Sequence, residues 1–84
     1  MKKIGLYVVF DRVTEESSPL IEAQNDRTAW RNYQRWLKEN PVNDPKDYDL
    51  YHVGFFDHDT LLIHCSSGKS LVLGPSAEEE INHG

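Results

Sequence analysis

The sequence predicts a small α+β domain: an antiparallel β-sheet of about five short strands, in the chain order β-β-α-β-β-β, with one amphipathic helix on one face. Segments rich in β-branched and aromatic residues flank a single stretch with helical periodicity. The chain has only 84 residues, which allows one hydrophobic core and no second domain. We therefore place a single domain at residues 1–75 and an acidic tail, expected to be disordered, at 76–84.

The strands are predicted from apolar runs that lie between turn-forming residues. They are placed at 4–10, 20–23, 48–56, 61–65 and 70–73. The first run is apolar at both even and odd positions, which indicates a strand covered on both faces. Asp57-His58-Asp59 and Ser66 to Lys69 are expected to be the turns that separate the last three strands.

The helix is predicted from about Asp26 to Glu39. Asn25 can cap its first turn, and Asn40-Pro41 ends it because the residue before a proline disfavours the helical conformation. At about 100° per residue, five apolar or aromatic side chains share one face. They are Ala29, Trp30, Tyr33, Trp36 and Leu37.

Four basic side chains share nearly the opposite face of this helix. They are Arg27, Arg31, Arg35 and Lys38, which we call the basic stripe. No acidic residue lies between its first and last members, and the row is about 16 Å long. Arginine binds phosphate with two parallel hydrogen bonds, so the basic stripe predicts phosphate contacts. A charged helix face that is merely solvated is the alternative interpretation.

One helix covers only one face of the sheet, so the other face requires a cover. A homodimer through that face or through an edge strand would supply it. Aromatic side chains on an open sheet can also stack nucleobases. Tyr7, Tyr51 and Phe55 are the candidates for base stacking or for the dimer face.

Several other functions are disfavoured by the sequence. Nine basic against fourteen acidic residues, a net charge of -5, exclude an indiscriminate polyanion binder. Cys65 is the only cysteine, so no internal disulfide can form. The stretch Ser66 to Ser70 resembles the end of a phosphate-binding loop, but Ile63 stands where the first glycine is required.

Histidine, aspartate and cysteine show no metal-ligand spacing, and no nucleophile is paired with a base. We therefore expect no metal, no cofactor and no catalysis. A metal-dependent hydrolase built on Asp57, His58 and Asp59 is the least favoured hypothesis. The longest apolar run is too short to span a bilayer, so no membrane association is expected.

Several motifs resemble one known family. Tyr7-Val8-Val9-Phe10-Asp11 closes the first strand, and Asn25-Asp26-x-x-Ala29-x-Arg31 enters the helix. Pro45-x-Asp47-Tyr48-Asp49-Leu50-Tyr51-x-x-Gly54-x-Phe56-Asp57 follows, with Ser70 to Gly74 near the end. Over residues 4–74 the sequence resembles the small nonstructural protein of gokushovirus-type phages (Microviridae), which have circular single-stranded DNA genomes.

The resemblance implies a non-enzymatic, DNA-binding protein that takes part in the change from duplex replication to single-strand synthesis for packaging. It also implies a location in the cytoplasm of the infected bacterium and absence from the virion. The family offers no catalytic residues, and only Arg31 belongs both to the shared motif and to the basic stripe.

We therefore predict a homodimer that binds single-stranded DNA through the basic stripe. The alternative is a homodimeric protein-protein interaction module that engages a viral replication protein or a host factor through the uncovered sheet face.

Overall fold

The computed structural model describes residues 3–73 and confirms an α+β domain with five antiparallel strands and one helix. The strands are β1 (Lys3–Asp11), β2 (Glu16–Ser17), β3 (Ile21–Ala23), β4 (Tyr48–Asp57) and β5 (Leu62–Leu71), and the helix is α1 (Asp26–Glu39). A single 3-10 turn, Pro45–Asp47, precedes β4. The tail at 76–84 lies outside the described residues, so its disorder stays a prediction.

The sheet has the order β2-β1-β4-β5, with β3 also paired to β1. One edge of β1 is divided between two short strands: β2 pairs with its end and β3 with Gly5 to Tyr7. The other edge of β1 pairs with β4 along almost its whole length, and β5 then forms the far edge of the sheet.

The predicted order of the strands along the chain is wrong. The structure has three strands before the helix, because β2 forms there, and two after it, because residues 66–69 do not reverse the chain. Cys65 pairs with Gly54 and Ser70 pairs with His52, so β5 resumes its pairing with β4 beyond a bulge at 66–69. The predicted strands at 61–65 and 70–73 are therefore two parts of one strand. The polar stretch 14–19, predicted to be a loop, contains β2.

Two hairpin turns in the sheet are built in the same way. Asp11 ends β1, and its Oδ1 accepts hydrogen bonds from the second and third following N–H groups, at 2.8 and 3.2 Å. Asp57 ends β4, and its Oδ1 makes the equivalent bonds at 2.8 and 3.3 Å. In each turn the fourth following residue has positive φ, 60° at Glu15 and 63° at Leu61, and its N–H donates to the aspartate carbonyl at 2.8 Å.

The helix begins and ends as the sequence predicts. The Asn25 side chain accepts a hydrogen bond from the Thr28 N–H at 2.8 Å, which satisfies a free donor of the first turn. At the other end, the Asn40 N–H and side-chain amide both donate to the Trp36 carbonyl. The buried face of α1 carries Ala29, Tyr33 and Leu37, which pack against the sheet.

The two faces of the sheet differ in what covers them. The helix side contributes Tyr7 and Val9 of β1 and Leu50 of β4 to the core. Side chains alternate along a strand, so the neighbouring residues point to the other side, which α1 does not cover. We call that side the open face. The register places on it Ile4, Leu6, Val8, Phe10, Tyr51, Phe56, Ile63, Cys65 and Leu71.

Candidate nucleic-acid interface

The four side chains of the basic stripe are exposed along α1. They lie on the side of the helix opposite to Ala29, Tyr33 and Leu37, which are buried. Within residues 3–73, Arg12 forms an ion pair with Asp49 at 3.3 Å, and no ion pair engages the basic stripe. Four cations that have no ion-pair partner in the described part of the chain thus follow one another along three turns of helix, with about 6 Å or less between successive members along the axis.

The acidic residues of α1 lie only at its two ends, as Asp26 and Glu39. The first of these is already engaged, because the Tyr7 hydroxyl donates to its Oδ1 at 2.7 Å. Burial raises the pKa of Tyr7 above its ordinary value, and the hydrogen bond and the negative charge of Asp26 raise that pKa further. The tyrosine therefore remains a donor at neutral pH and joins the first turn of α1 to β1.

The three aromatic residues singled out from the sequence do not share a surface. Tyr7 lies under α1 with 1% of its surface exposed, so stacking of a base on its ring is excluded. Tyr51 lies on the open face, where its ring meets that of Phe10 at 6.4 Å and the Lys69 ammonium lies 5.4 Å from its centroid. Phe55 lies on the helix side with 41% of its surface exposed. The prediction that these rings form one face is wrong.

An irregularity in β4 is the physical reason for this arrangement. Tyr7 pairs with His52 and Leu6 pairs with Gly54, so Val53 is an extra residue in β4. A bulge of this kind reverses the alternation of side chains beyond it. Residues 52 and 55, which would lie on opposite faces of a regular strand, therefore lie on the same one.

His52 and Phe55 form what we call the aromatic shelf. Their ring centroids are 4.7 Å apart, and the His52 ring is 5.0 Å from that of Tyr7. The shelf lines an open groove of about 800 Å³ that Arg27, the first residue of the basic stripe, also lines. The basic stripe thus ends at the aromatic shelf. Sequence analysis assigned no role to His52, because the bulge that places it there has no local sequence signal.

A second cleft, of about 400 Å³, lies between α1 and the strands β1 to β3. Its walls include the aromatic rings of Trp36 and Tyr48, which meet at 5.3 Å. The carboxylates of Asp11 and Glu16 also line it, as directly paired residues of β1 and β2, and none of its lining residues is basic. Two like charges side by side disfavour a phosphate here. This acidic cleft is therefore unsuited to a polyanion.

The described residues contain neither a metal-binding cluster nor a membrane-spanning helix. Within residues 3–73, no group of three histidine, cysteine, aspartate or glutamate residues is placed to hold a metal ion. In the turn after β4, the Asp59 N–H donates a hydrogen bond to Asp57 Oδ1. Over the same residues, no helix is long and apolar enough to cross a membrane.

The comparisons with known proteins identify a family but no individual relative. No curated protein and no solved structure matches the chain. The family model described as phage ORF5 protein matches residues 4–78, which include every element described above except Lys3, the first residue of β1. The chain therefore belongs to the phage ORF5 protein family.

Proposed function

We propose that this protein is a non-enzymatic phage protein that binds single-stranded DNA. The observation that carries the proposal is the exposed basic stripe, unpaired within residues 3–73, which ends at the aromatic shelf. Phosphate-binding cations beside exposed rings form the combination used by proteins that bind single strands with little sequence preference. The net charge of -5 does not oppose this, because the positive charge is concentrated on one helix face.

A single strand suits this surface better than a duplex. The basic stripe is a straight row about 16 Å long on a convex helix, which can follow one backbone. The groove at its end is lined by aromatic rings, and only an unpaired base can present its flat face to them. Within residues 3–73, no α-helix besides α1 is present that could enter a major groove.

We further propose that the protein belongs to the gokushovirus-type members of its family and acts in the cytoplasm of the infected bacterium. Its role there is in the change from duplex replication to single-strand synthesis for packaging, and the virion lacks it. Support comes from the phage ORF5 family match and from the motif resemblance over residues 4–74. Mass spectrometry of purified virions and of infected-cell lysate tests this role, since the proposal requires the protein in the lysate alone.

The binding proposal is tested by titrating a fluorescent oligothymidylate with the full chain at two salt concentrations. Replacing Arg27, Arg31 and Arg35 by alanine removes three cations that bind phosphates. The slope of log K against log salt then becomes shallower by about 0.7 for each phosphate of a single strand that is no longer neutralised. A Lys3, Arg12 and Lys46 triple alanine variant removes the same charge off the stripe and serves as the control. Equal slopes for the two variants contradict the proposal.

The apolar side chains of the open face favour a homodimer. The same side chains favour the second candidate function, a protein-protein interaction module. Ile63 and Leu71 of this face are half or more exposed, and β1 contributes three partly exposed apolar side chains, Ile4, Val8 and Phe10. A symmetric copy packed on this face would bury them and leave both basic stripes outside. In the second candidate, a viral replication protein or a host factor contacts the same face. Dimerisation is tested by sedimentation of the wild type and of Ile63→Glu, with Val42→Glu as an equally charged control away from the sheet.

A further inference from the structure

We propose that the aromatic shelf, His52 and Phe55, is a binding site for one unpaired nucleobase of the strand whose phosphates contact the basic stripe. This inference rests on the proposed function, which concerns the backbone of the strand, and adds where a base is held. The site differs from the aromatic trio predicted from the sequence, because it excludes Tyr7 and Tyr51 and includes a histidine.

The rings of the shelf are arranged so that a face stays available. His52 meets Tyr7 at an interplanar angle of 60° and Phe55 at 66°, so neither contact is a face-to-face stack. Tyr7 is fixed beneath them by its hydrogen bond to Asp26. A base that stacks on Phe55 therefore meets a ring packed against His52, which Tyr7 supports in turn, and binding costs little side-chain freedom.

Polar groups around the groove suit the edge of a base. The exposed side chain of Gln24 lines it and can donate and accept hydrogen bonds, and the Ser70 hydroxyl lies on the β5 side. The Asn25 Oδ1 is used by the helix cap, but its NH₂ group has no acceptor among residues 3–73 and can donate to a ligand. These groups can pair with the ring nitrogen atoms that all four bases carry and with the carbonyl oxygens of guanine, cytosine and thymine.

The charges in the groove set the orientation of a bound nucleotide. The Asp26 carboxylate lines the groove and disfavours a phosphate beside it. Arg27 lines the same groove and is exposed, as the first cation of the basic stripe. A nucleotide is therefore best placed with its base over Phe55 and its phosphate at Arg27, from where the backbone continues along α1.

Tyr51 provides a matched control for this site. It is a half-buried aromatic residue of the same strand with a cation beside it, Lys69. It lies on the open face, however, and the sheet separates it from the basic stripe. Tyr51→Leu thus removes one ring of β4 from the open face, and Phe55→Leu removes one ring of β4 from the helix side. Only Phe55→Leu changes the aromatic shelf.

The test is a titration of fluorescent oligothymidylate with the full chain, with Phe55→Leu, Phe55→Tyr and Tyr51→Leu beside the wild type. A stacked base contributes about 1–3 kcal/mol, so Phe55→Leu is expected to weaken binding about 5-fold to 150-fold. Its salt slope stays unchanged because the substitution removes no charge. Phe55→Tyr keeps the ring and binds like the wild type, and Tyr51→Leu changes the affinity less than twofold.

Two further measurements separate this inference from the proposed function. An abasic oligonucleotide keeps every phosphate but no base, so the wild type and Phe55→Leu should bind it equally. Thymidine monophosphate at millimolar concentration should shift the ring-proton resonances of Phe55 and His52, and not those of Tyr51. The triple alanine variant of Arg27, Arg31 and Arg35 is the stripe variant. If the stripe variant loses affinity for the oligonucleotide and Phe55→Leu does not, the base site alone is overturned. If thymidine monophosphate shifts the Phe55 resonances but the stripe variant binds the oligonucleotide like the wild type, the phosphate contacts of the basic stripe are overturned and the base site stands.

Discussion

The turn between β1 and β2 stores strain at Glu15, whose φ is 60°. An L-residue in this left-handed region costs about 1–2 kcal/mol, which glycine avoids. Glycine in turn brings about 0.5–1 kcal/mol of extra chain entropy to the unfolded state. Glu15 is exposed, so its removal gives up little packing. Glu15→Gly should therefore raise the free energy of unfolding by about 0.5–1 kcal/mol, which for a domain of this size raises Tm by about 2–8 °C.

Glu15→Ala is the matched variant, because it removes the same charge beside Asp11 and Glu16 but keeps a Cβ atom. Urea unfolding followed by tryptophan fluorescence measures both variants and the wild type. The glycine variant should be more stable than the alanine variant by about 0.5–1 kcal/mol, with equal m-values. An alanine variant as stable as the glycine variant would refute the reasoning, since backbone strain would then play no part.

Two further predictions concern β4. A Cβ atom at Gly54 would lie 2.5 Å from the His64 carbonyl oxygen of β5, so Gly54→Ala should destabilise the fold by about 1–3 kcal/mol in a urea titration. A Cβ atom at Gly68 would meet no atom within 4 Å, so Gly68→Ala should leave the stability unchanged in the same titration. The N–H groups of Asp59 and the next residue hold the pKa of Asp57 below its usual range, against the effect of burial. The stability that this carboxylate contributes is present above about pH 4 and is lost as the pH falls through its folded-state pKa. Urea midpoints at pH 6 and pH 3 should therefore fall more for the wild type than for Asp57→Asn, and equal falls would contradict this.

The helix is the part of the molecule that local sequence determines most completely. Asn25 and Pro41 delimit α1 through contacts within one turn, and the positions of the basic stripe follow from periodicity alone. No partner strand has to be known for either inference. The exposure of the basic stripe was therefore predictable from the sequence. Exposure alone does not determine whether these side chains bind phosphate.

The faces of the sheet depended on pairing between distant segments. An extra residue at Val53 shifts the register, and this alone brings Phe55 to the same side as His52. Residues 66–69 look like a reversing turn because serine and glycine favour turns, yet β4 continues beyond them and β5 resumes its pairing. Neither effect is visible in a single segment of sequence, since both arise from where the partner strand lies.

One signal for the hairpin turns was present in the sequence. Phe-Asp-x-x-Thr occurs at 10–14 and again at 56–60, and both copies fold into the same aspartate-capped turn. The carboxylate supplies the acceptor for two N–H groups, and the residue after threonine takes positive φ without being glycine. Neither hairpin has a glycine at this position, so Leu61 carries the same positive-φ strain as Glu15.

The contact between the basic stripe and DNA phosphates is tested most directly by the arginine side chains themselves. The chain has four arginines, of which Arg27, Arg31 and Arg35 belong to the stripe, and Arg12 is held by Asp49. We predict that oligothymidylate shifts the Nε–Hε NMR resonances of the three stripe arginines at low salt and leaves that of Arg12 unchanged. Unshifted stripe resonances, or a shift at Arg12 alone, would contradict the account.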